Sequence, residues 1–195
     1  MQDISWSDFE AIIEDLGEHR GSRISYSDGA LEIMVPLPEH EKHKKIIGEI
    51  VRILLDKLKI DFEALGSTTF KNRAMNQAVE ADACFYIKNY QAVIGKDRLD
   101  LTIDPPPDLA IEIDITNRTY FDNYLQLKVP ELWRYTRKGL LIYLLQDGMY
   151  VESNTSPNFP DIPIAELIDR HARQVQVEGR SKSIKAFKRW VQDNL

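Results

Sequence analysis

Hydrophobic residues recur every three or four positions in three stretches of the chain, the spacing that lines one face of an α-helix. The first stretch covers residues 6–16 and ends before Gly17, a typical helix C-cap residue. The second covers residues 39–59, and the third lies near the C-terminus around Phe187. We therefore predict a short amphipathic helix at the start, a long helix with one buried stripe, and a final helix after an irregular, proline-containing stretch.

Two Asp-Gly pairs are flanked by short hydrophobic segments, which is a strong signal for β-hairpins. One pair joins residues 23–26 to residues 30–35, and the other joins residues 140–145 to residues 149–151. Each pair therefore predicts a tight turn between two antiparallel strands.

The middle of the chain is predicted to contain a helix over residues 120–127 and strands over residues 62–70, 80–87, 109–116 and 132–135. Side chains alternate between two faces along a strand, so acids at every second position share a face. Asp82 lies opposite an apolar face on one strand, and Glu112 and Asp114 lie opposite the apolar face that contains Ile111 on the next. Two strands therefore carry carboxylates on single faces.

The central order of elements is helix, three strands, helix, strand. It predicts an α/β (α+β) fold with a mixed central sheet, flanking helices and added β-hairpins. We expect a single domain over residues 1–195, with its core at 39–146, an N-terminal helix and hairpin at 6–35, and a C-terminal hairpin, irregular stretch and helix at 147–195. The residues expected to be buried are Ile47, Leu54, Phe85, Ile111, Ile113, Tyr143 and Leu144.

Charge narrows the classes of partner. The chain has 195 residues, with 25 Lys or Arg against 31 Asp or Glu and a net charge of −6. This sign excludes nucleic-acid binding through bulk positive charge, so DNA binding would have to use local basic patches. Such patches are also typical of solvated helix faces. The two candidates are Lys42, Lys44 and Lys45, and Arg180, Lys182, Lys185, Lys188 and Arg189.

The sequence lacks the features of membrane and secreted proteins. Its longest apolar run, residues 140–145, is far shorter than the roughly 20 residues that cross a bilayer. The N-terminus carries early acids in place of the basic and apolar segments of a secretory signal. Cys84 is the single cysteine, which agrees with a reducing compartment. We therefore expect a cytoplasmic protein with no membrane contact.

The acids on the central strands are suited to a metal ion. Glu112 and Asp114 are expected about 6.6 Å apart along their strand, with Asp82 on a strand about 4.8 Å away. Mg²⁺ and Mn²⁺ prefer such oxygen ligands, and they can polarise a phosphoryl group and activate water. The alternative is a sheet with one solvated polar face, which these acids merely keep wet.

The element order and the acids together resemble the PD-(D/E)XK nucleases. Several stretches more closely resemble the Uma-two family of restriction endonucleases, which is abundant in cyanobacteria: "DGALEIMVPLPEHEKHKKIIGEIV", "LGSTTFKNRAMNQAVEADACFYI", "PPPDLAIEIDIT" and "VPELWRY". The resemblance implies a restriction-endonuclease-like core and an Mg²⁺- or Mn²⁺-dependent endonuclease, acting on DNA as a homodimer.

By position, the resemblance implies that Asp82 and Glu112 are direct metal ligands and that the carbonyl of Ile113 is a further one. It also places His40 where the family commonly has histidine, as a proton relay or phosphate contact. Ala81 replaces the proline that usually precedes the first acid, a change that affects backbone stiffness and not the chemistry.

The motif lysine is missing. It would fall two residues after Glu112, where this chain has Asp114, or one turn before Tyr124 on the next helix, where it has Tyr120. A cation in such a site orients the attacking water and offsets charge on the phosphate, so its loss needs compensation.

Lys71 is the preferred substitute, because it lies at the end of the first core strand and its long side chain could reach the acids. Lys128 and Arg118 are weaker candidates. Asp114 could alternatively act as a third metal ligand. Without a substitute, the chain would be a catalytically inactive binding or interaction module that keeps the nuclease fold.

Overall fold

The computed structural model describes residues 1–17, 21–66, 69–73, 76–115 and 121–195. The N-terminal half of this part contains α1 (Trp6–Leu16), β1 (Arg23–Ser27), β2 (Ala30–Met34), α2 (Pro38–Leu58), β3 (Glu63–Gly66), β4 (Thr69–Asn72), β5 (Gln77–Glu80) and β6 (Ala83–Tyr86). The C-terminal half contains β7 (Leu109–Asp114), α3 (Phe121–Gln126), β8 (Glu131–Thr136), β9 (Gly139–Gln146), β10 (Met149–Ser153), α4 (Ile164–Glu178) and α5 (Arg180–Asn194).

A six-stranded mixed sheet forms the centre, with the strand order β10-β9-β8-β7-β6-β3. Its β7 and β8 strands are parallel, and α3 lies between them in the sequence. The pairings of β8 with β9, β9 with β10, β6 with β7, and β3 with β6 are antiparallel. The predicted mixed sheet with flanking helices and added hairpins is therefore confirmed.

Both faces of the large sheet are covered. On one face, Phe85, Ile111 and Trp133 belong to a hydrophobic core with residues of α2, α4 and α5. On the other face, Cys84 and Ala110 belong to a second core that includes Tyr124 of α3. Within the described residues, no helix combines the length and apolar character needed to span a bilayer.

A separate four-stranded sheet has the order β2-β1-β5-β4. One of its faces packs on α1 through a small core of Phe9, Ile24, Tyr26, Leu31 and Ala78. This second sheet carries the predicted Asp28-Gly29 hairpin, and it places β1 beside the end of the large sheet.

The strand register agrees with the predicted faces. Five of the residues expected in the core are buried, and Tyr143 and Leu144 are half-buried: the five are Ile47, Leu54, Phe85, Ile111 and Ile113. A slip of one residue would have inverted these faces, so the alternation predicted from sequence is correct.

Two predicted strands each prove to be two strands in different sheets. The segment at 62–70 contains β3 of the large sheet and the start of β4 of the small sheet, and the segment at 80–87 contains the end of β5 and all of β6. The second break has a physical cause at Asp82. Its carboxylate Oδ2 accepts the backbone N–H of Ile113 at 2.8 Å, so a side chain takes the place of the next ladder bond.

The chain also contains a helix that the sequence analysis did not predict. The helix α4 follows Pro163, within the C-terminal part expected to hold a single helix after the irregular stretch. The signal was present, because buried residues recur at helical spacing along it: Ile164, Leu167, Ile168, His171 and Ala172.

Candidate metal centre

The switch from the small sheet to the large one places Asp82 at the centre of the candidate site. Asp82 lies between β5 and β6 and is fully buried, with 0% of its surface exposed. Its Oδ2 atom accepts the Ile113 N–H, and its Oδ1 atom lies 2.9 Å from Arg23 Nη1. A buried carboxylate carries a desolvation cost, so it needs charged or hydrogen-bonding partners such as these.

Glu112 approaches from the adjacent strand, β7, and is 7% exposed. The hydroxyl of Tyr124 on α3 donates to Glu112 Oε1. This bond ties α3 to β7 and holds the carboxylate in place. Acids on a solvated sheet face would be exposed to solvent, whereas Asp82 and Glu112 are buried. The alternative of a solvated polar face is therefore excluded.

Arg23 supplies the positive charge between these two acids. It begins β1, and its Nη1 atom lies 2.9 Å from Asp82 Oδ1 while its Nη2 atom lies 3.3 Å from Glu112 Oε2. Nη2 also donates to the carbonyl of Glu80. One guanidinium therefore bridges both carboxylates, which brings together Asp82 and Glu112 as the sequence predicted.

Sequence reasoning missed Arg23 and the role of Tyr124. Arg23 opens a hairpin 59 positions before Asp82, and nothing in its neighbourhood marks it as a site residue. Only the packing of the small sheet against the end of β7 brings it to the acids. Tyr124 had a signal, since it stands on α3 at the aromatic position that the family resemblance aligns.

His40 lies on the other side of Asp82, in the first turn of α2. It is 1% exposed, and its Nε2 atom is 3.1 Å from Asp82 Oδ2. Its Nδ1 atom has no hydrogen-bond partner and lies 3.6 Å from Glu41 Oε1. The predicted histidine is thus in direct contact with the predicted first acid.

The two acids respond differently to burial. Burial alone would raise the pKa of Asp82, but His40, Arg23 and the Ile113 N–H stabilise its anion and hold that pKa below the ordinary value. Burial raises the pKa of Glu112 to about 8, and the charge of Asp82 adds to this, although Arg23 and the Tyr124 hydroxyl oppose it. At neutral pH the pair therefore favours an ionised Asp82 and a protonated Glu112.

The arginine and the tyrosine are shifted in keeping with their surroundings. Burial by itself would lower the pKa of Arg23, but Glu112 and Asp82 outweigh it and raise that pKa above its already high ordinary value. Burial, with the charge of Glu112, raises the pKa of Tyr124 well above 10. Arg23 is therefore a permanent cation, and Tyr124 is a permanent hydrogen-bond donor.

The donor atoms fit a divalent cation. Among the described residues, His40, Glu41 and Asp82 each offer one ligand atom, and these atoms lie within 4.8 Å of one another. A single ion with coordination distances of about 2.0–2.6 Å could be shared across such a spacing. The Nδ1 atom of His40 is buried without a hydrogen-bond partner and could be satisfied by such an ion, whereas Asp82 Oδ1 is paired with Arg23.

Asp114 lies on the same face of β7 as Glu112 but is bound by another group. Arg134 of β8 donates to Asp114 Oδ2 from its Nε atom at 2.9 Å and from its Nη2 atom. The same guanidinium lies 4.6 Å from the centroid of the Phe121 ring. A metal role for Asp114 requires release from Arg134 and stays a prediction.

The expected approach of Lys71 to the acids is not seen. Its ammonium lies over the ring of Phe9, 5.9 Å from the centroid, and forms no ion pair with Asp82 or Glu112. The reason is that β4 belongs to the small sheet, where Lys71 pairs with Ala78, a residue of the core formed with α1. Lys71 therefore does not supply the cation seen at this site.

Two weaker substitutes were also predicted. Lys128 is exposed, two residues after the end of α3. Arg118, like the motif position Tyr120, lies outside the residues that the structure describes.

The two basic patches are mostly exposed. On α2, Lys42 and Lys45 are exposed, and Lys44 is half-buried with its Nζ 3.7 Å from Glu41. In the C-terminal patch, Arg180 forms an ion pair with Glu49 of α2. On α2, Lys44 lies one turn after His40, whereas Lys42 and Lys45 lie on the exposed side of the helix, away from the buried His40.

Comparisons with known proteins agree with this architecture. Residues 6–176 match the model of the Uma2 family, described as "Putative restriction endonuclease". Among solved structures, the chain is similar to one described as a "putative nuclease belonging to DUF820" from Anabaena variabilis ATCC 29413. The two are 14% identical with a TM-score of 0.51, over 73% of this chain and 83% of the other, a likeness that concerns the fold alone. No protein with a curated description matches the chain.

Proposed function

Because the chain belongs to the Uma2 family, described as "Putative restriction endonuclease", we propose that it is a metal-dependent endonuclease that hydrolyses DNA phosphodiesters. The observation that carries the proposal is the convergence of two buried acids, Asp82 and Glu112, with His40 in contact with one of them. A structural sheet would gain nothing from burying two carboxylates side by side, since each carries a desolvation cost.

Asp82 and Glu112 would hold a Mg²⁺ or Mn²⁺ ion through their carboxylates, with the Ile113 carbonyl as a further ligand. Asp114 is an additional candidate if Arg134 releases it. When bound, such an ion polarises the phosphoryl group and lowers the pKa of the attacking water. The Ile113 N–H and the Tyr124 hydroxyl orient the two carboxylates toward the ion.

His40 is placed to move a proton. If its Nε2–H faces Asp82 Oδ2, then Nδ1 is the free acceptor of the neutral ring, and no hydrogen bond occupies that atom. Asp82 would thereby fix the tautomer and orientation of the ring, as carboxylates commonly do for catalytic histidines. We propose His40 as the relay that takes a proton from the attacking water.

DNA would approach through the α2 patch. Lys44 lies one turn after His40 on α2, so a phosphate that it contacts would be on the side of the helix that faces the acids, with the exposed Lys42 and Lys45 flanking it in sequence. Two such sites would allow both strands to be cut in one binding event, and we also propose a homodimer.

A metal titration by calorimetry, paired with a plasmid-cleavage assay, tests the proposal. We expect the wild type to bind Mn²⁺ with submillimolar affinity and to cleave the plasmid. Asp82→Ala and Glu112→Ala should each lose both properties. Glu152→Ala removes an exposed acid of β10 and should leave both properties unchanged. Glu41→Ala distinguishes a metal site formed by Asp82 and Glu112 from one formed by His40, Glu41 and Asp82. Loss of Mn²⁺ binding in Glu41→Ala but not in Glu112→Ala would favour the second set.

An inactive binding module is the second candidate function. The observation favouring it is the lack of a lysine at either motif position, Asp114 or Tyr120. Wild-type protein that binds Mn²⁺ but never cleaves DNA, and gains cleavage when Asp114→Lys restores the motif, would establish this alternative.

A further inference from the structure

The bridge between Asp82 and Glu112 is made by Arg23, a residue that no motif assigns. The guanidinium contacts both acids, and its side chain is 11% exposed. Its Nε atom is buried and has no hydrogen-bond partner. Arg23 is thus held by the two acids and the Glu80 carbonyl, with one buried donor left unused.

The backbone beneath Arg23 is rigidly anchored. The next residue, Ile24, donates its N–H to Glu80 Oε2 at 2.9 Å, and Thr69 donates to Glu80 Oε1 at 2.7 Å. Ile24 itself is buried in the core with α1. The start of β1 is therefore fixed, and any movement of Arg23 must occur in its flexible side chain.

A metal ion at Asp82 would compete with Arg23 for the same oxygen. Arg23 Nη1 lies 2.9 Å from Asp82 Oδ1, the carboxylate oxygen that does not accept the Ile113 N–H. A divalent cation and a guanidinium repel each other strongly at such separations in a buried site. Metal binding would therefore push the guanidinium away from Asp82.

A cleft lies along β1, the strand that Arg23 begins. Arg23, Ser25 and Ser27 share one face of β1, because they alternate with the buried Ile24 and Tyr26. Ser25 and Ser27 line a cleft of about 550 Å³ together with Asn123 of α3, the neighbour of Tyr124. A substrate strand in this cleft would run along the face of β1 that Arg23, Ser25 and Ser27 share.

We propose that Arg23 is the catalytic cation that replaces the missing motif lysine, and that it serves as the counter-ion of Asp82 and Glu112 until metal and substrate arrive. The assignment rests on the proposed endonuclease function. Guanidinium groups bind phosphate oxygens through paired N–H donors, so Arg23 is chemically suited to this role. Of the other cations considered, Lys71 lies over Phe9 and Arg134 is bound to Asp114.

The reaction balances without any further reactant. The water oxygen forms a bond to phosphorus, the bond from phosphorus to the leaving oxygen breaks, His40 takes the proton of the water, and solvent protonates the leaving oxygen. Arg23 donates N–H groups to a non-bridging phosphate oxygen, where negative charge increases in the transition state.

Arg23→Met and Arg23→Lys test this role, with Arg52→Met as the control on the exposed face of α2. Mn²⁺ affinity is measured by calorimetry, cleavage at saturating Mn²⁺, and folding by thermal unfolding. We expect Arg23→Met to bind Mn²⁺ about tenfold more tightly, because a competing charge is gone. We expect it to cleave about a hundredfold more slowly, the usual scale for losing one electrostatic stabiliser. Arg23→Lys should recover part of the rate, and Arg52→Met should match the wild type.

The outcomes separate this role from the proposed function. If the wild type cleaves DNA and Arg23→Met cleaves it at the same rate, the role of Arg23 is overturned but the proposed function is not. Mn²⁺ affinity and thermal stability that fall together in Arg23→Met indicate a structural ion pair and also overturn it. A wild-type protein that neither binds Mn²⁺ nor cleaves DNA overturns the proposed function and, with it, this assignment.

Discussion

A substitution at Tyr124 tests whether this residue holds the Glu112 carboxyl for metal binding or contributes only to stability. Its hydroxyl donates to Glu112, a carboxyl that is otherwise buried beside Asp82 and Arg23. Tyr124→Phe keeps the ring in the core but leaves Glu112 Oε1 without this donor. We expect unfolding free energy to fall by about 1 kcal/mol, the usual value of one hydrogen bond, and Mn²⁺ affinity to fall several-fold.

Tyr150 provides the matched control for that measurement. Its hydroxyl donates to the Val129 carbonyl at 2.8 Å, outside the candidate site. Tyr150→Phe should lower stability by a similar amount and leave Mn²⁺ affinity unchanged. Equal losses of affinity in both variants would mean that Tyr124 acts only through stability.

At the scale of elements, the alternating pattern predicted faces correctly but could not predict sheet membership. The segment at 80–87 alternates without interruption, although Ala81 and Asp82 separate two strands that belong to different sheets. The break depends on a bond between Asp82 and Ile113, 31 positions away. A contact of that separation leaves no mark on local periodicity.

The same limit explains which site residues could be predicted. Three site residues could be predicted because each occupies a motif position or a place in a recognisable pattern: Asp82, Glu112 and His40. Arg23 could not be predicted, because only tertiary packing brings its side chain to the two acids. Lys71 was misplaced for the same reason, since its strand pairs in the small sheet and not in the large one.

The junction of α4 and α5 is predicted to weaken in acid. His171 is buried between these helices, with its ring 5.1 Å from that of Phe187 and its Nδ1 atom 3.4 Å from Ser183 Oγ. Burial, and secondarily Arg170, lower the pKa of His171 below its ordinary value of 6.5. The unfolded chain therefore binds this proton more readily than the folded protein does.

The sign of the effect follows from that difference. The stabilising contribution of neutral His171 is present above the unfolded pKa of 6.5 and is lost as pH falls through the lower, folded pKa. Urea unfolding of wild type and His171→Gln, compared from pH 8 downward to about pH 5, should show a steeper loss of stability in the wild type. Parallel curves would mean that His171 does not titrate differently in the two states.

At the scale of the whole molecule, the negative net charge opposes the approach of DNA, the substrate that the proposed site chemistry requires. A net charge of −6 repels DNA at long range, so the proposed DNA binding would depend on the lysines of α2 and on neutralisation of the acids. In the metal-free protein, Arg23 contacts both acids. Under the proposed function, a divalent ion would take over this neutralisation and so serve substrate approach as well as chemistry.

The central claim is that one metal ion is held between Asp82 and Glu112. Crystals of the protein soaked in Mn²⁺ test it most directly, because the anomalous signal of manganese locates the ion without reference to activity. We predict one peak within about 2.0–2.6 Å of carboxylate oxygens of both acids, with the Arg23 guanidinium withdrawn from Asp82. A peak confined to His40 and Glu41, or no peak while Arg23 still bridges the two acids, would contradict the account.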